Sequence, residues 1–450
     1  MWSNRYFSRF RIIVFALPLV AALAVAQEPT SPDTMEKILS RLDELEKQNQ
    51  TLLEEIKSLR EAVKSQQPAS AQATEELKDR VSVAENRIEE HAQTKVGSSQ
   101  RLPVSLTGMI LFDSNLLHGA GSYNPDPNYA DYSEGQPGGG ATLRQSVIGL
   151  KVEAPQIAGG GQIHGSISMD FDAGGENKDI FRIRNGDVSF DWSARSITVG
   201  QDKTIIAPLE PTSFAHVGIP PLAGAGNLWL WRPQLKYEER HALSLRTRAV
   251  FQAALFSTGE TYATYPIAEA YAATTRPALQ GRLAIIHDWS DRTKLSIGVG
   301  AHESESHISG KSIPSRVLSS DFLFKPLHWL ELSGTVLHGE NFANLGALPT
   351  GAAVDGTTLI PIKGSAGWMQ IAIPVTNRLT FDAYAGRQVN ESRGLTLNQI
   401  AGNLIYAGNV LYRVGPNVMI GFEGAHENIV YANHTLTLTN RYDATLAYLF

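Results

Sequence analysis

The sequence predicts an all-β transmembrane barrel of about 16 antiparallel strands, preceded by an α-helical coiled coil. Three observations carry this. Residues 32–66 repeat their apolar positions in steps of 3 and 4. From about Leu102 onward the period switches to 2. The connections between the period-2 stretches then alternate between short and long.

The chain has 450 residues, a net charge of −6 and no cysteine. Disulfides, thiolate metal sites and cysteine nucleophiles are therefore excluded. A mildly acidic balance argues against nucleic acid as a partner. The first segment, 1–26, reads as a signal peptide. Arg5, Arg9 and Arg11 precede an apolar stretch from Ile12 to Ala26, and Ala24-Val25-Ala26 is a small-x-small cleavage signal before Gln27. That stretch is too short for a comfortable spanning helix, and no later apolar run approaches the required length of about 20 residues.

Residues 27–100 read as a helical extension with helices at about 33–66 and 75–92. In the first, Met35, Ile38, Leu42, Leu45, Asn49, Leu52, Ile56, Leu59 and Val63 form a narrow heptad seam among Glu, Lys, Arg, Gln and Ser. Such a seam pairs with another helix, and the single polar Asn49 fixes register. Pro68 breaks the helix. Leu77, Val81, Ala84 and Ile88 continue the spacing in a second, shorter one.

The barrel occupies 101–450. Sixteen alternating stretches can be counted between Val104 and Phe450, with 14 or 18 also compatible with the ambiguous ones. "QIHGSISMDF", "TKLSIGVGAHE" and "NVMIGFEGAHE" are examples. Short connections ("SAR", "SDR", "TNR", "GPN") alternate with long ones near 114–140, 205–227, 257–278 and 341–363. Trp192, Trp289 and Trp329 all flank short turns, as an interfacial aromatic girdle would. The last stretch, "RYDATLAYLF", places Tyr442, Leu446, Tyr448 and Phe450 on one face and Arg441 and Asp443 on the other. In a closed barrel this strand pairs with the first, the aromatic face meets lipid, and the charged face meets the lumen.

Three stretches carry a resemblance: "LRQSVIGLKVEAP" at 143–155, "VGQDKT" at 199–204 followed by a Pro-rich loop, and "WRPQLKYEE" at 231–239. With the signal peptide, coil and terminal Phe, the chain resembles the coiled-coil-prefixed porins of Gram-negative bacteria, in particular the DcaP-like group, and more distantly the phosphate-selective porins. Where that group's second strand often carries a base, this chain has Val147. The resemblance implies a 16-stranded barrel, a homo-trimer and passive uptake of small solutes. It implies residence in outer-membrane lipid, with the coil in the periplasm.

Selectivity in a water-filled hole is set by width and wall charge. Parity assigns Arg182, Arg184, Arg232, Lys236, Arg246, Arg248 and Arg282 to the lumen, with Asp202 among the inward acids. Guanidinium groups pair with carboxylate and phosphate through a planar fork, so small anionic solutes are the expected cargo. A solvated or neutralised set of arginines is the other reading. The Pro- and Gly-rich segment 205–227 is expected to fold into the lumen as a constriction loop, bringing Glu210, Ser213 and His216 to the arginines. Its alternative is an ordinary outside loop.

No G-x-S-x-G elbow or His-Glu-x-x-His motif appears, so no enzyme, cofactor or resident metal is expected. "HESESH" at 302–307 offers two histidines without a third ligand. A structural anchor, tethering the membrane to the cell wall through the coil, is the remaining alternative function.

Overall fold

A computed structural model describes residues 104–119, 138–153, 156–173, 180–258, 273–274, 277–308, 311–355 and 358–450. The expected signal peptide (1–26) and coiled coil (27–100) lie outside them. Sixteen antiparallel strands close into a barrel. They are β1 (Val104–Gly119), β2 in two parts (Gly138–Thr142 and Val147–Glu153), β3 (Gln162–Asp170), β4 (Arg182–Asp191), β5 (Arg195–Asp202), β6 (Arg232–Ala242), β7 (Thr247–Phe256) and β8 (Ala278–Ser290). The second half contributes β9 (Thr293–Ile308), β10 (Lys311–Leu327), β11 (Leu330–Glu340), β12 (Lys363–Pro374), β13 (Leu379–Asn390), β14 (Ile400–Arg413), β15 (Val418–Tyr431) and β16 (Leu436–Leu449).

The sheet is inside-out relative to a soluble fold. Leu235, Phe422, Tyr442 and Leu446 are exposed, while Asp443, Arg441, Glu423 and Gln370 are buried. Alternation therefore sends apolar side chains outward and polar ones inward, as lipid outside and water or protein inside require. Trp289 and Trp329 are exposed beside the short turns after β8 and β10. The ring of Trp192, next to the short turn after β4, lies 5.8 Å beneath the Arg195 guanidinium.

Closure joins β1 to β16 from Met109↔Leu449 to Gly119↔Thr439. Phe450 adds two backbone bonds to Gly108, with N–H to O distances of 3.1 and 2.8 Å. Deleting Phe450 removes both, and its ring from beside Gly108. We expect slower appearance of the folded, heat-modifiable band when the deletion variant refolds into detergent.

Two irregularities matter for the lumen. β2 is interrupted at 143–146, which lets Gln145 turn inward and bury. β4 shifts register between the pairs Ser168↔Asn185 and Met169↔Ile183. This bulge explains why Arg182 and Arg184, at even positions, share the inner face with Asp187 and Asp191, at odd ones.

The connections at one rim are short throughout. The other rim is mixed: 309–310 and 432–435 are short, while 203–231 and 341–362 are long and turn into the barrel. There Ile205, Ile206, Ala207 and Leu228 of the first loop pack with Phe342 and Leu345 of the second. The inner faces of β7, β8, β10, β11 and β12 complete this core through Phe256, Ala278, Val317, Leu337 and Ala366. Burying one such large side chain is worth about 1.5–3 kcal/mol, so several together hold both loops inside.

Candidate functional site

Loop 203–231 enters beside β5 and first docks on β8, where Gln280 Oε1 accepts from the Thr204 hydroxyl (3.0 Å) and the Ile205 N–H (3.2 Å). It then follows the far wall. The Thr212 N–H donates to Gln370 Oε1 (2.7 Å), and Asn409 Nδ2 donates to the Thr212 carbonyl (2.8 Å). Glu423 on β15 is the hub: it accepts from Ser213 Oγ (2.6 Å), Tyr384 OH (2.7 Å) and Asn409 Nδ2 (3.2 Å). The loop tip is clipped on the other side. Gln145 Oε1 accepts from the N–H groups of Val217 (2.6 Å) and Gly218 (2.8 Å). Arg184 and Arg182 donate to the carbonyls of the same two residues, at 2.6 and 2.7 Å.

The segment expected to constrict the lumen thus lies inside the barrel and touches both walls: Val217 and Gly218 meet Arg184 and Arg182, while two of the three side chains expected there turn to the other wall. Ser213 and His216 face the carboxylate of Glu423, not the arginines. Glu210 pairs with Lys203 at the root of the loop. The physical reason is that the apolar part of the loop packs on Trp368, Tyr384 and Ala407, which carries its polar tip along β12–β16.

The expected bases divide into several settings. Arg182 and Arg184 converge on Asp170 at 2.7 and 3.1 Å, and both stack near Trp231, at 5.2 and 4.5 Å. Arg144 joins them through Asp172 at 2.8 Å. Arg232 donates to the Thr258 carbonyl (2.6 Å). Lys236 lies 3.7 Å from Asp202. Arg282 is buried and grips Asp321 with two nitrogens, at 2.7 and 2.8 Å. Arg248 pairs with Asp288 near the short-turn rim. Arg246 is a correction: it sits exposed in the turn 243–246, because β7 begins only at Thr247. The Leu243 N–H closes that turn on the Thr247 carbonyl at 2.8 Å.

The two walls of the lumen differ in access to water. Inward side chains of β9–β16 at mid-barrel, such as Asp321, Thr335, Gln370 and Glu423, are buried under the loops. On β4–β6 the inward side chains Asp187, Asp202, Lys236, Glu238 and Arg240 stay partly exposed. His302 and His307 lie on opposite faces of β9; His302 is buried against Gln280 and Ser304. Among the described residues no cluster of three metal-ligating groups occurs.

His216 is held neutral by its setting. Burial, then the nearby Arg441 cation, push its pKa below the ordinary value, and Glu423 and Asp443 offset this only in part. A depressed pKa means the docked loop resists a proton that the detached loop accepts. Docking is thus at full strength above pH 6.5 and weakens as pH falls below it. We expect more frequent current fluctuations on acidification, lost in His216→Asn, in single-channel recordings across that range.

No family model and no curated protein matches the chain. Among solved structures it is similar to the outer-membrane channel DcaP of Acinetobacter baumannii, with a TM-score of 0.63 at 17% identity over 78% of this chain and 99% of that one. It is also similar to an anion-selective porin from Comamonas acidovorans, with a TM-score of 0.50 at 13% identity over 77% of this chain and 99% of that one. The chain is a sixteen-stranded barrel whose structural neighbours are channels and porins of the Gram-negative outer membrane.

Proposed function

We propose that the chain is an outer-membrane porin, passing small hydrophilic solutes by passive diffusion down the β4–β6 side of its barrel. The supporting observation is the closed barrel whose internal loops bury one wall and leave the other wet and charged. At the outer mouth three guanidiniums, Arg144, Arg182 and Arg184, face two carboxylates, Asp170 and Asp172. That excess favours solutes bearing a carboxylate or phosphate. In this reading 1–26 exports the chain, 27–100 reaches into the periplasm as a coil toward the cell wall, and three copies assemble.

Planar-bilayer conductance of the purified full chain is the test. Steps closing in groups of three support the trimeric porin. A folded but silent barrel overturns it and leaves the tether.

A further inference from the structure

We infer that the short-turn rim is a collar for anionic phospholipids, whose phosphates its arginines hold. This goes beyond the porin reading and stands whether or not the barrel conducts. Four of the short turns repeat one four-residue pattern: "WSAR" at 192–195, "LSLR" at 243–246, "WSDR" at 289–292 and "VTNR" at 375–378. An apolar residue comes first, then Ser or Thr, then a variable residue, then Arg. The first three join β4 to β5, β6 to β7 and β8 to β9, and the fourth joins β12 to β13. The hydrogen bonds repeat as well. Ser244 Oγ accepts from the N–H groups of Arg246 (3.3 Å) and Thr247 (3.1 Å), and Thr376 Oγ1 from those of Arg378 (3.1 Å) and Leu379 (3.0 Å). Ser290 Oγ accepts from the Arg292 N–H at 3.3 Å. The hydroxyl closes each of these three turns and fixes the arginine at its end.

The residue that opens the pattern keeps the outward parity of its strand. Leu243, Trp289 and Val375 are 60%, 41% and 55% exposed, and the Trp192 ring lies under the Arg195 guanidinium. An apolar or indole side chain beside an arginine is the composition of a membrane interface. The first sits among acyl chains, and the second, on its long stem, reaches the headgroups. A guanidinium there pairs with phosphate through its planar fork. The local charge fits that partner. Within four positions of the short turns ten Lys and Arg stand against seven Asp and Glu, although the whole chain carries −6. Of those acids, Asp288 and Glu331 are held by Arg248 and Lys325, and Asp191 lies against His164. Glu239 faces Arg195 in register but lies 3.3 Å from His241, and Asp291 is the neighbour of Arg292. Arg246, Arg292 and Arg413 are exposed and make no ion pair among the described residues. Three neighbouring turns, two strands or roughly 10 Å apart, present Arg195, Arg246 and Arg292 along one arc, so several headgroups are met side by side.

The test is quenching of tryptophan fluorescence by brominated lipids around the reconstituted full chain. Trp192, Trp289 and Trp329 stand beside the short turns and report on that rim. Bilayers of phosphatidylcholine carry either brominated phosphatidylglycerol or brominated phosphatidylcholine as the probe. Phosphatidylglycerol is expected to bind at least about fivefold more strongly, the gain from one arginine near an anionic surface. The preference is expected to fall within about twofold in Arg195→Gln/Arg246→Gln/Arg292→Gln, and equally for the unaltered chain in about 1 M salt, where the Debye length is about 3 Å. A gel shift on heating checks that the variant is folded, and the salt arm needs no variant. Equal quenching by the two lipids, or a preference that survives the triple substitution, overturns the inference. Loss of the preference on adding inorganic phosphate overturns it too, since a free anion would then suffice. Equal quenching with ion selectivity altered in the variant overturns it and assigns the arginines to the pore mouth.

Discussion

Gly226→Ala is expected to release the inner loop and raise single-channel conductance, with noise, while the barrel stays folded. Gly226 has φ +108°, a region that side chains avoid, and a Cβ there would land on the Gly367 carbonyl of β12. Backbone cannot yield as a flexible side chain does. The strain of such a conformation is of order 1–3 kcal/mol before the collision is added. The loop next to this point is packed so closely that the Ala225 carbonyl lies over Gly386. Undocking at 226 therefore frees the whole return limb from Leu222 to Leu228. Gly165→Ala is the control, since the nearest atom to its Cβ is 3.5 Å away. Equal conductance in both variants would show that the loop does not limit the current.

The second large effect is expected at Glu423→Ala. Three donors converge on this carboxylate, from Ser213 on the loop and Tyr384 and Asn409 on the wall. Hydrogen bonds to a charged acceptor contribute about 1.5–3 kcal/mol each, and an orphaned buried donor costs about 1–3 kcal/mol. Losing the hub thus removes the Ser213 bond from tip docking, about 1.5–3 kcal/mol, and strands the Tyr384 hydroxyl, while Asn409 keeps its bond to the Thr212 carbonyl. The readout is limited proteolysis in the 212–218 region together with conductance. Adding Tyr384→Phe removes one orphaned hydroxyl and is expected to recover part of the loss. No recovery would place the effect in packing around Tyr384 instead.

The sequence makes the barrel legible because lipid imposes a strict two-residue rule. Tyr442, Leu446 and Tyr448 against Arg441 and Asp443 give the parity of β16, and closure onto β1 follows. The same rule misleads where alternation runs through a turn: Leu243 and Leu245 continue the rhythm, so Arg246 reads as strand. The inward course of 205–227 is announced by its apolar residues. Its docking wall is not, because Ser213 and Glu423 are 210 positions apart and nothing local encodes that meeting. The inward turn of 341–362 is equally silent, since Phe342 and Leu345 pack in one cluster with Ile205, Ile206 and Leu228, more than 100 positions away in the chain. Gln145 could be found only through the break in β2 that points it inward.

Strand length has a consequence for the surrounding lipid. β5 has eight residues and β10 has 17. At about 3.3 Å per residue and a tilt of about 40° these rise roughly 20 and 43 Å, beside an apolar band of about 25 Å. The outward face of β5 offers only Ile197 and Val199 between Arg195 and Gln201. Acyl chains touching that flank must shorten or splay, at fractions of a kcal/mol per Å of mismatch, whereas those beside β10 need not. The molecule therefore carries a thin side and a tall side, and bilayer thickness will set how it leans and which lipids gather along its edge.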